Sequence, residues 1–256
     1  MSLREAVAYL FSENHSKYEI DLFDKWHFLY LIMVFGGAVV LALLWRDRSA
    51  VSKEKLLRVM AYVTIGFYIA DFFCMPLSDS YSGISQDKLP FHICTLVSVF
   101  VPFVQFNKHF APIKKAVVVL AVTSSVMWMC YPGTALGGIP PFCYKVFQTF
   151  MFHGLLYTWG FLYLALDVIQ LEWRTIWHEF VGTLVILVWA ALGTAVYEDQ
   201  NWFFIKESIF PFLTDEVMPP VVVFCVCGSV FVVYCAYFGI RALIHRAAVK
   251  KELATA

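Results

Sequence analysis

The sequence predicts an all-α fold, a polytopic helical bundle that crosses a membrane seven times. Hydrophobic residues make up 61% of the 256 residues and charged residues only 15%, and the mean hydropathy is +0.71. Soluble domains have ~45–50% apolar and ~25% charged residues, so a soluble globule of this length would be unable to bury so much apolar surface. Helix is the expected state, because the alternating pattern of a membrane barrel is absent.

Seven apolar stretches separated by short polar loops form the predicted spans. Each is close to the ~20 residues that a helix needs to cross a bilayer, and the third is the shortest. In chain order they cover residues 26–45, 56–77, 89–106, 113–131, 146–166, 176–197 and 219–240.

A short amphipathic helix is predicted before the first span. Apolar residues recur at i, i+3, i+4, i+7 and i+8 within residues 3–12, which places them on one face of a helix lying on the membrane surface. We therefore divide the chain into an N-terminal external segment (1–25), a seven-helix transmembrane domain (26–245) and a cytoplasmic tail (246–256).

The distribution of basic residues predicts the orientation. Of the 19 lysines and arginines, thirteen lie on the side of the first, third and fifth loops and the C-terminus, and six lie on the other side. The positive-inside rule then places the N-terminus outside and the C-terminus in the cytoplasm. The equal numbers of basic and acidic residues give no global basic field, so nucleic acid is not an expected partner.

Four polar residues at similar depth in three spans are the main functional candidates, since such residues are costly in lipid. At 1.5 Å per helical residue, Asp71, His92, Cys94 and His153 lie roughly 5–10 Å below the outer surface. Cys94 and His153 are the predicted catalytic pair, a nucleophile and its base. A regular helix would point His92 and Cys94 ~200° apart, so they are not expected to share one wall unless the helix unwinds locally.

Three further residues are predicted to support this site. Tyr157 lies on the polar stripe of the fifth span together with His153, and polar stripes in lipid turn inward. Gln148, Asn201 and free backbone amides near Pro90 are candidate donors to an oxyanion, and the sequence does not choose among them. Asp71 is expected to orient its neighbours rather than carry a proton.

Structural interpretations of the same residues remain open. Most of the seven cysteines are expected to pack as small apolar residues, and His153 could simply join two helices by a hydrogen bond. One disulfide could form among Cys74, Cys130 and Cys143. The spacing of histidines and cysteines does not match a metal site, and nucleotide-binding glycine motifs are absent, so neither a metal nor a cofactor is predicted.

Two loops on the predicted outer side have distinctive compositions. Residues 131–141 are rich in proline and glycine, and they could cover the outer end of the bundle as a lid. The largely apolar segment 202–213 is too short to span the membrane, and it is expected to lie at the interface or to fold back inward.

The segment Pro90-Phe91-His92-Ile93-Cys94 resembles the YwaF-like family of small integral membrane proteins, which has a proline-x-histidine-x-cysteine start to one span. The later Phe152-His153-Gly154 and the stretch that begins at Asn201 are also similar to that family. The resemblance covers residues 26–240. It implies a protein of the bacterial plasma membrane related to an animal acyltransferase that remodels ether phospholipids through a cysteine, and to ester hydrolases with a threonine nucleophile and a histidine.

Two functions from different classes follow. The first is an acyltransferase or lipid-ester hydrolase in which Cys94 attacks a phospholipid or lysophospholipid ester and His153 takes its proton. The second is a module that binds or transports a small solute in an outward-facing polar pocket. A seven-span receptor is weakened by the short cytoplasmic loops. The sequence does not indicate the oligomeric state.

Overall fold

The computed structural model describes residues 2–13, 19–77, 86–132, 135, 138–197, 199–208 and 213–255. The chain is 79% helical, and no strand occurs in these ranges. This confirms the all-α prediction. Parts of the predicted lid (133–134 and 136–137) and of the outer apolar segment (209–212) fall outside the described residues.

Eight helices follow one another along the described chain. They are α1 (Leu3–Phe11), α2 (Lys25–Trp45), α3 (Ala50–Cys74), α4 (Ile93–Phe106), α5 (Lys114–Cys130), α6 (Tyr144–Ala165), α7 (Trp177–Val196) and α8 (Met218–Thr255). Each of the seven predicted spans coincides with one of the helices α2–α8. Helix α8 continues through the segment 246–255, which was predicted as a separate tail.

Five helices are long and apolar enough to cross a membrane, namely those centred on α2, α3, α5, α7 and α8. Helix α4 has only 14 residues, and α6 has 22 residues but is not in this apolar group. The chain is therefore an integral membrane protein, while the number of seven spans and the orientation stay predictions.

Helix α1 confirms the short helix predicted near the N-terminus. A capping box starts it, because the Glu5 amide donates to Ser2 Oγ and the Ser2 amide donates to the Glu5 carboxylate. Val7 and Leu10 remain exposed, whereas the ring of Phe11 lies 4.9 Å from that of Tyr144 at the start of α6. The position of α1 on the membrane surface remains a prediction.

Helix α6 is the centre of the bundle, and 15 of its 22 residues are buried. Two glycines allow neighbouring helices to approach it closely. A Cβ on Gly160 would lie 2.9 Å from the Val118 carbonyl oxygen of α5, and a Cβ on Gly154 would lie 2.7 Å from Val34 Cγ2 of α2. The close packing beside Gly154 holds the preceding residue, His153, in the interior.

The third predicted span differs from the structure at its start. The helix was predicted from residue 89, but α4 begins at Ile93. The Phe91 amide donates to the Leu89 carbonyl at 2.8 Å, a tight turn that suits the fixed φ of Pro90. His92 follows with an extended backbone (φ −80°, ψ 151°). Residues 89–92 are therefore a turn rather than the first turn of a helix.

The far end of α4 is tied to two other helices by Gln105. Its Oε1 accepts hydrogen bonds from Trp159 Nε1 at 3.1 Å and Tyr163 Oη at 2.7 Å, both on α6. Its Nε2 donates to Glu54 Oε1 of α3 at 3.1 Å. These bonds fix the rotation of α4 about its axis, and with it the direction of the residues in its first turn.

The cysteines form no disulfide, a possibility that the sequence leaves open. All seven cysteines are free, including Cys74, Cys130 and Cys143, which were the candidates for a bridge. Cys143 is buried at the start of α6, while Cys130 is exposed at the end of α5.

Candidate functional site

A cavity of about 770 Å³ lies inside the bundle. Helices α3, α4, α5, α6 and α8 contribute its walls, together with residues 199–204 of the loop before α8. Six of the seven predicted site residues line it: Asp71, His92, Cys94, Gln148, His153 and Asn201.

Tyr157 is the predicted site residue that does not line the cavity. It lies one helical turn beyond His153 on α6, and it packs against the rings of Phe35 and Phe161 at 4.9 and 5.5 Å. The stripe of polar residues on α6 therefore turns away from the cavity at this position.

Cys94 is the second residue of α4, and its side chain is 6% exposed. The N-cap residue, His92, makes no side-chain hydrogen bond to the first turn. The amide groups at the start of a helix lack partners in the helix and carry a partial positive charge. Cys94 thus lies where backbone N–H groups can stabilise negative charge on sulfur or on an adjacent oxygen.

His92 and Cys94 lie on the same cavity, because the helix does not include His92 and the condition of a regular helix is not met. The expected separation of ~200° assumed that both belong to one regular helix. His92 precedes the helix in an extended conformation, and its ring lies 5.9 Å from that of Phe204. Because the helix begins one residue later, the two side chains reach one space.

The tautomer of His153 follows from its hydrogen bond. Nδ1 lies 2.7 Å from the Thr149 carbonyl oxygen, and a carbonyl only accepts, so Nδ1 carries the proton. In the neutral ring Nε2 then has a free lone pair, and no described residue hydrogen-bonds to it. The ring stacks on Trp128 with centroids 4.1 Å apart and planes within 6°. His153 is therefore held in one orientation, and in the neutral ring its Nε2 lone pair is available to accept a proton.

Asp71 is the centre of a polar cluster in the cavity wall. Its side chain is 1% exposed, and Oδ2 lies 2.8 Å from Lys88 Nζ. Tyr144 Oη donates to Oδ1 at 2.7 Å, and Gln148 Nε2 donates to Oδ2 at 2.9 Å. A buried carboxylate needs such partners, and the orienting role expected of Asp71 stays a prediction.

Lys88 and Tyr144 are site residues that the sequence reasoning missed. Lys88 was counted only as a charge in a loop. In the structure its side chain pairs with Asp71, and its backbone carbonyl accepts a hydrogen bond from Tyr68 Oη. The position of Lys88 directly before the Leu89-Pro90 turn was the only available signal. Tyr144 was assigned to the loop before the fifth predicted span. In the structure it begins α6, one turn before Gln148.

The side chains proposed as oxyanion donors are already engaged. Asn201 Nδ2 donates to the Glu207 carbonyl at 2.7 Å, and its Oδ1 accepts from the Lys206 and Glu207 amides at 2.9 and 3.2 Å. These bonds fold the loop before α8. Gln148 Nε2 is bonded to Asp71.

Helix α7 does not line the cavity, but it holds the turn that precedes Cys94. Trp189 Nε1 donates to the Pro90 carbonyl at 2.8 Å. The ring of Phe91 lies 4.5 Å from that of Trp202 and 5.2 Å from that of Trp189, and it lies directly over Gly193. Sequence reasoning gave no sign of this contact.

The wall formed by α8 is apolar. It consists of Met218, Val221, Val222, Cys225 and Val226. Cys225 was expected to be a packing residue, and the structure places it on the cavity instead. An apolar wall opposite a polar cluster suits a ligand with both a hydrocarbon part and a polar part.

These features define a class, that of integral membrane helical proteins with a thiol and an imidazole on one internal cavity. A model of the TMEM164 family matches residues 22–240, and the chain belongs to the TMEM164 family. This family membership does not extend to the narrower YwaF-like label. Comparisons with curated proteins and with solved structures gave no significant match.

Proposed function

We propose that the protein is a membrane-embedded acyltransferase or lipid-ester hydrolase that acts on acyl esters of phospholipids or lysophospholipids. The observation that carries the proposal is the pairing of two groups on one cavity. Cys94 supplies a thiol at the start of a helix, and His153 supplies a neutral imidazole with a free Nε2. A nucleophile and a base on one cavity are the minimum for covalent acyl transfer.

The reaction proceeds in two steps. The Cys94 thiol gives its proton to His153 Nε2 as Sγ bonds to the ester carbonyl carbon, and the carbonyl π electrons move to the oxygen. The tetrahedral intermediate then expels the lysolipid alkoxide, which takes the proton from the imidazolium, and a thioester remains on Cys94. Water or a lysolipid hydroxyl attacks the thioester with the same proton transfers, and the thiol is restored.

The hydrogen bond of His153 supports its role as the base. Because Nδ1–H is held by the Thr149 carbonyl, the ring keeps one orientation and accepts a proton only at Nε2. The carbonyl also stabilises the imidazolium that forms, because it accepts from a charged donor more strongly than from a neutral one. Trp128 restricts rotation of the ring by stacking on it.

The shape and polarity of the cavity support a lipid substrate. The α8 wall is apolar and accommodates an acyl chain, while Lys88 and Asp71 form a charged pair suited to a polar headgroup. Seven spans with the N-terminus outside would place the site a few ångströms below the outer surface of a bacterial plasma membrane, where ester groups lie.

An adduct on Cys94 tests the proposal. Membranes that contain the protein are incubated with a phospholipid bearing an alkyne-terminated acyl chain, and the modified residue is mapped. We expect a hydroxylamine-labile adduct on Cys94, none in Cys94→Ala, and very slow formation in Cys94→Ser, because a hydroxyl ionises far less readily than a thiol. His153→Ala should slow formation about 10²-fold.

Cys235→Ala is the matched control, because Cys235 is exposed on α8 and does not line the cavity. It should form the adduct at the wild-type rate. Full turnover of a phospholipid by Cys94→Ala would show that the nucleophile is elsewhere.

A second function, binding or transport of a small solute, is favoured by one observation. The buried Asp71–Lys88 pair offers both charges to the cavity, which suits a zwitterionic ligand. If no lipid ester is turned over but a solute protects Cys94 from alkylation, this function replaces the first.

A further inference from the structure

Most serine and threonine hydroxyl groups in these helices donate to a backbone carbonyl earlier in the chain, and Thr95 and Ser98 do so three residues back. Inside a membrane helix a serine or threonine has no water to bond, and it commonly donates to the carbonyl four residues earlier. Six hydroxyls do so at 2.6–2.9 Å: Thr64, Thr123, Thr149, Thr158, Thr183 and Ser229. A buried hydroxyl that donates to no carbonyl therefore needs an explanation.

Ser124 on α5 is one such hydroxyl. Its side chain is 2% exposed, and Oγ has no hydrogen-bond partner among the described residues. Ser124 and Cys94 line the same cavity, and the Ser124 hydroxyl is near enough to the Cys94 sulfur to stabilise negative charge there, although the two side chains form no hydrogen bond at rest. The neighbouring Ser125 is also buried without a partner, but it does not line the cavity.

We propose that the Ser124 hydroxyl donates a hydrogen bond to the oxyanion that forms when Cys94 attacks an acyl carbonyl. This inference rests on the proposed function. When Sγ bonds to the carbonyl carbon, the oxygen gains a negative charge within two bonds of sulfur, and a donor facing the thiol reaches it. The bond strengthens as the charge develops and is absent in the resting protein, which is how an oxyanion donor accelerates a reaction.

The other side-chain donors near Cys94 are occupied. Thr95 Oγ1 donates to the carbonyls of His92 and Leu89, and Gln148 and Asn201 are bonded to Asp71 and to Glu207. The backbone amides in the first turn of α4 remain as a second source of donors. Ser124 differs from these side chains because its buried hydroxyl has no acceptor in the part of the chain that the structure describes, so its proton is available to a ligand in the cavity.

Two electrophiles that react with the same sulfur distinguish the role of an oxyanion donor from a structural role. Iodoacetamide alkylates the thiol without forming an oxyanion, and the p-nitrophenyl ester of a fatty acid acylates it through one. With the purified full chain in detergent, we expect Ser124→Ala to slow p-nitrophenolate release and Cys94 acylation about 10²-fold. Alkylation of Cys94 should remain within about twofold of wild type, since no oxyanion forms.

Ser125→Ala is the matched control, and it should leave both rates unchanged. Ser124→Ala should also melt at or above the wild-type temperature, because it removes a buried hydroxyl that has no partner to lose. Loss of activity with unchanged stability excludes a packing role.

Each other outcome overturns a defined part of the argument. Wild-type acylation by Ser124→Ala refutes the oxyanion role and leaves the phospholipid adduct on Cys94 to judge the proposed function. Equal slowing of acylation and alkylation shows that Ser124 acts on the thiol, which also refutes it. Wild-type protein could accept an acyl group on Cys94 from the activated ester but never from a phospholipid. The proposed function then fails, while the acylation rates of Ser124→Ala and wild type still decide whether Ser124 is an oxyanion donor. If Cys94 accepts acyl from neither, both fail.

Discussion

Gly193→Ala should distort the turn of residues 89–92, which precedes Cys94, from outside the cavity. A Cβ at this position would lie 2.3, 2.6 and 2.8 Å from Cδ1, Cγ and Cε1 of Phe91. The ring is not free to move away, because it is packed against Trp202 and Trp189. Overpacking of this kind costs about 3 kcal/mol, and the gain in helix propensity returns about 1 kcal/mol. The net loss of about 2 kcal/mol should lower the melting temperature by about 4–8 °C.

The larger effect should be on catalysis. Phe91 lies three residues before Cys94, so a shift of the ring moves the start of α4, and a displacement of about 1 Å can reduce the rate about 10²-fold. Thermal unfolding in detergent and the rate of Cys94 acylation measure the two effects. Gly228→Ala on α8 is the control, since its Cβ would meet nothing within 4 Å. Wild-type acylation by Gly193→Ala would refute the idea that α7 positions the turn.

Three further substitutions test neighbouring contacts. Trp189→Phe keeps the ring but removes the hydrogen bond to the Pro90 carbonyl, so stability should fall by about 1 kcal/mol in thermal unfolding. Gly154→Ala should slow acylation by forcing α2 away from α6, and the second change Val34→Ala should restore the rate if the contact is the cause. Asp71→Asn leaves the partly exposed Lys88 ammonium without its counter-charge, and should cost up to about 3 kcal/mol. It should reduce acylation less than loss of His153 does, and an equal reduction would contradict an orienting role.

The sequence was sufficient to place the helices and the central pair of side chains. Apolar runs near 20 residues have few alternatives to helix in lipid, so the seven runs coincide with α2–α8. The depths of Cys94 and His153 were predicted only from their distances along helices, so errors of a few residues in the helix ends changed them little. Both residues line one cavity.

The rest depended on contacts between distant parts of the chain. Lys88 resembles a loop charge until its ion pair with Asp71 is seen. The orientation of His92 depended on whether the helix starts at residue 89 or 93, and helix boundaries are the least predictable feature of a sequence. Ser124 has no sequence signature, because a missing hydrogen bond is visible only in three dimensions.

Of the helices α2–α8, only α4 and α6 are not among the five long apolar helices. These two helices carry the candidate catalytic residues, Cys94 and His153. Helix α4 has 14 residues, about 21 Å at 1.5 Å per residue, because its start is replaced by the turn that aims Cys94. Helix α6 is long enough to cross, but it is less apolar since it carries Gln148, Thr149 and His153 in the interior. Packing of α6 against the apolar helices α2, α3 and α5 makes these polar residues tolerable.

Whether α4 and α6 cross the membrane determines which side each end of α5 faces. If all seven helices cross, the α4–α5 loop lies on the same side as the α2–α3 loop, and the α5–α6 loop lies on the opposite side. If only the five apolar helices cross, both assignments reverse, although the termini still lie on opposite sides.

Single cysteines at the exposed positions Ser49, His109 and Phe142, labelled with an impermeant maleimide in intact cells, distinguish the seven-span arrangement from the five-span one. We expect Ser49→Cys and His109→Cys to be protected and Phe142→Cys to be labelled; labelling of His109→Cys with protection of Phe142→Cys would refute the seven-span arrangement.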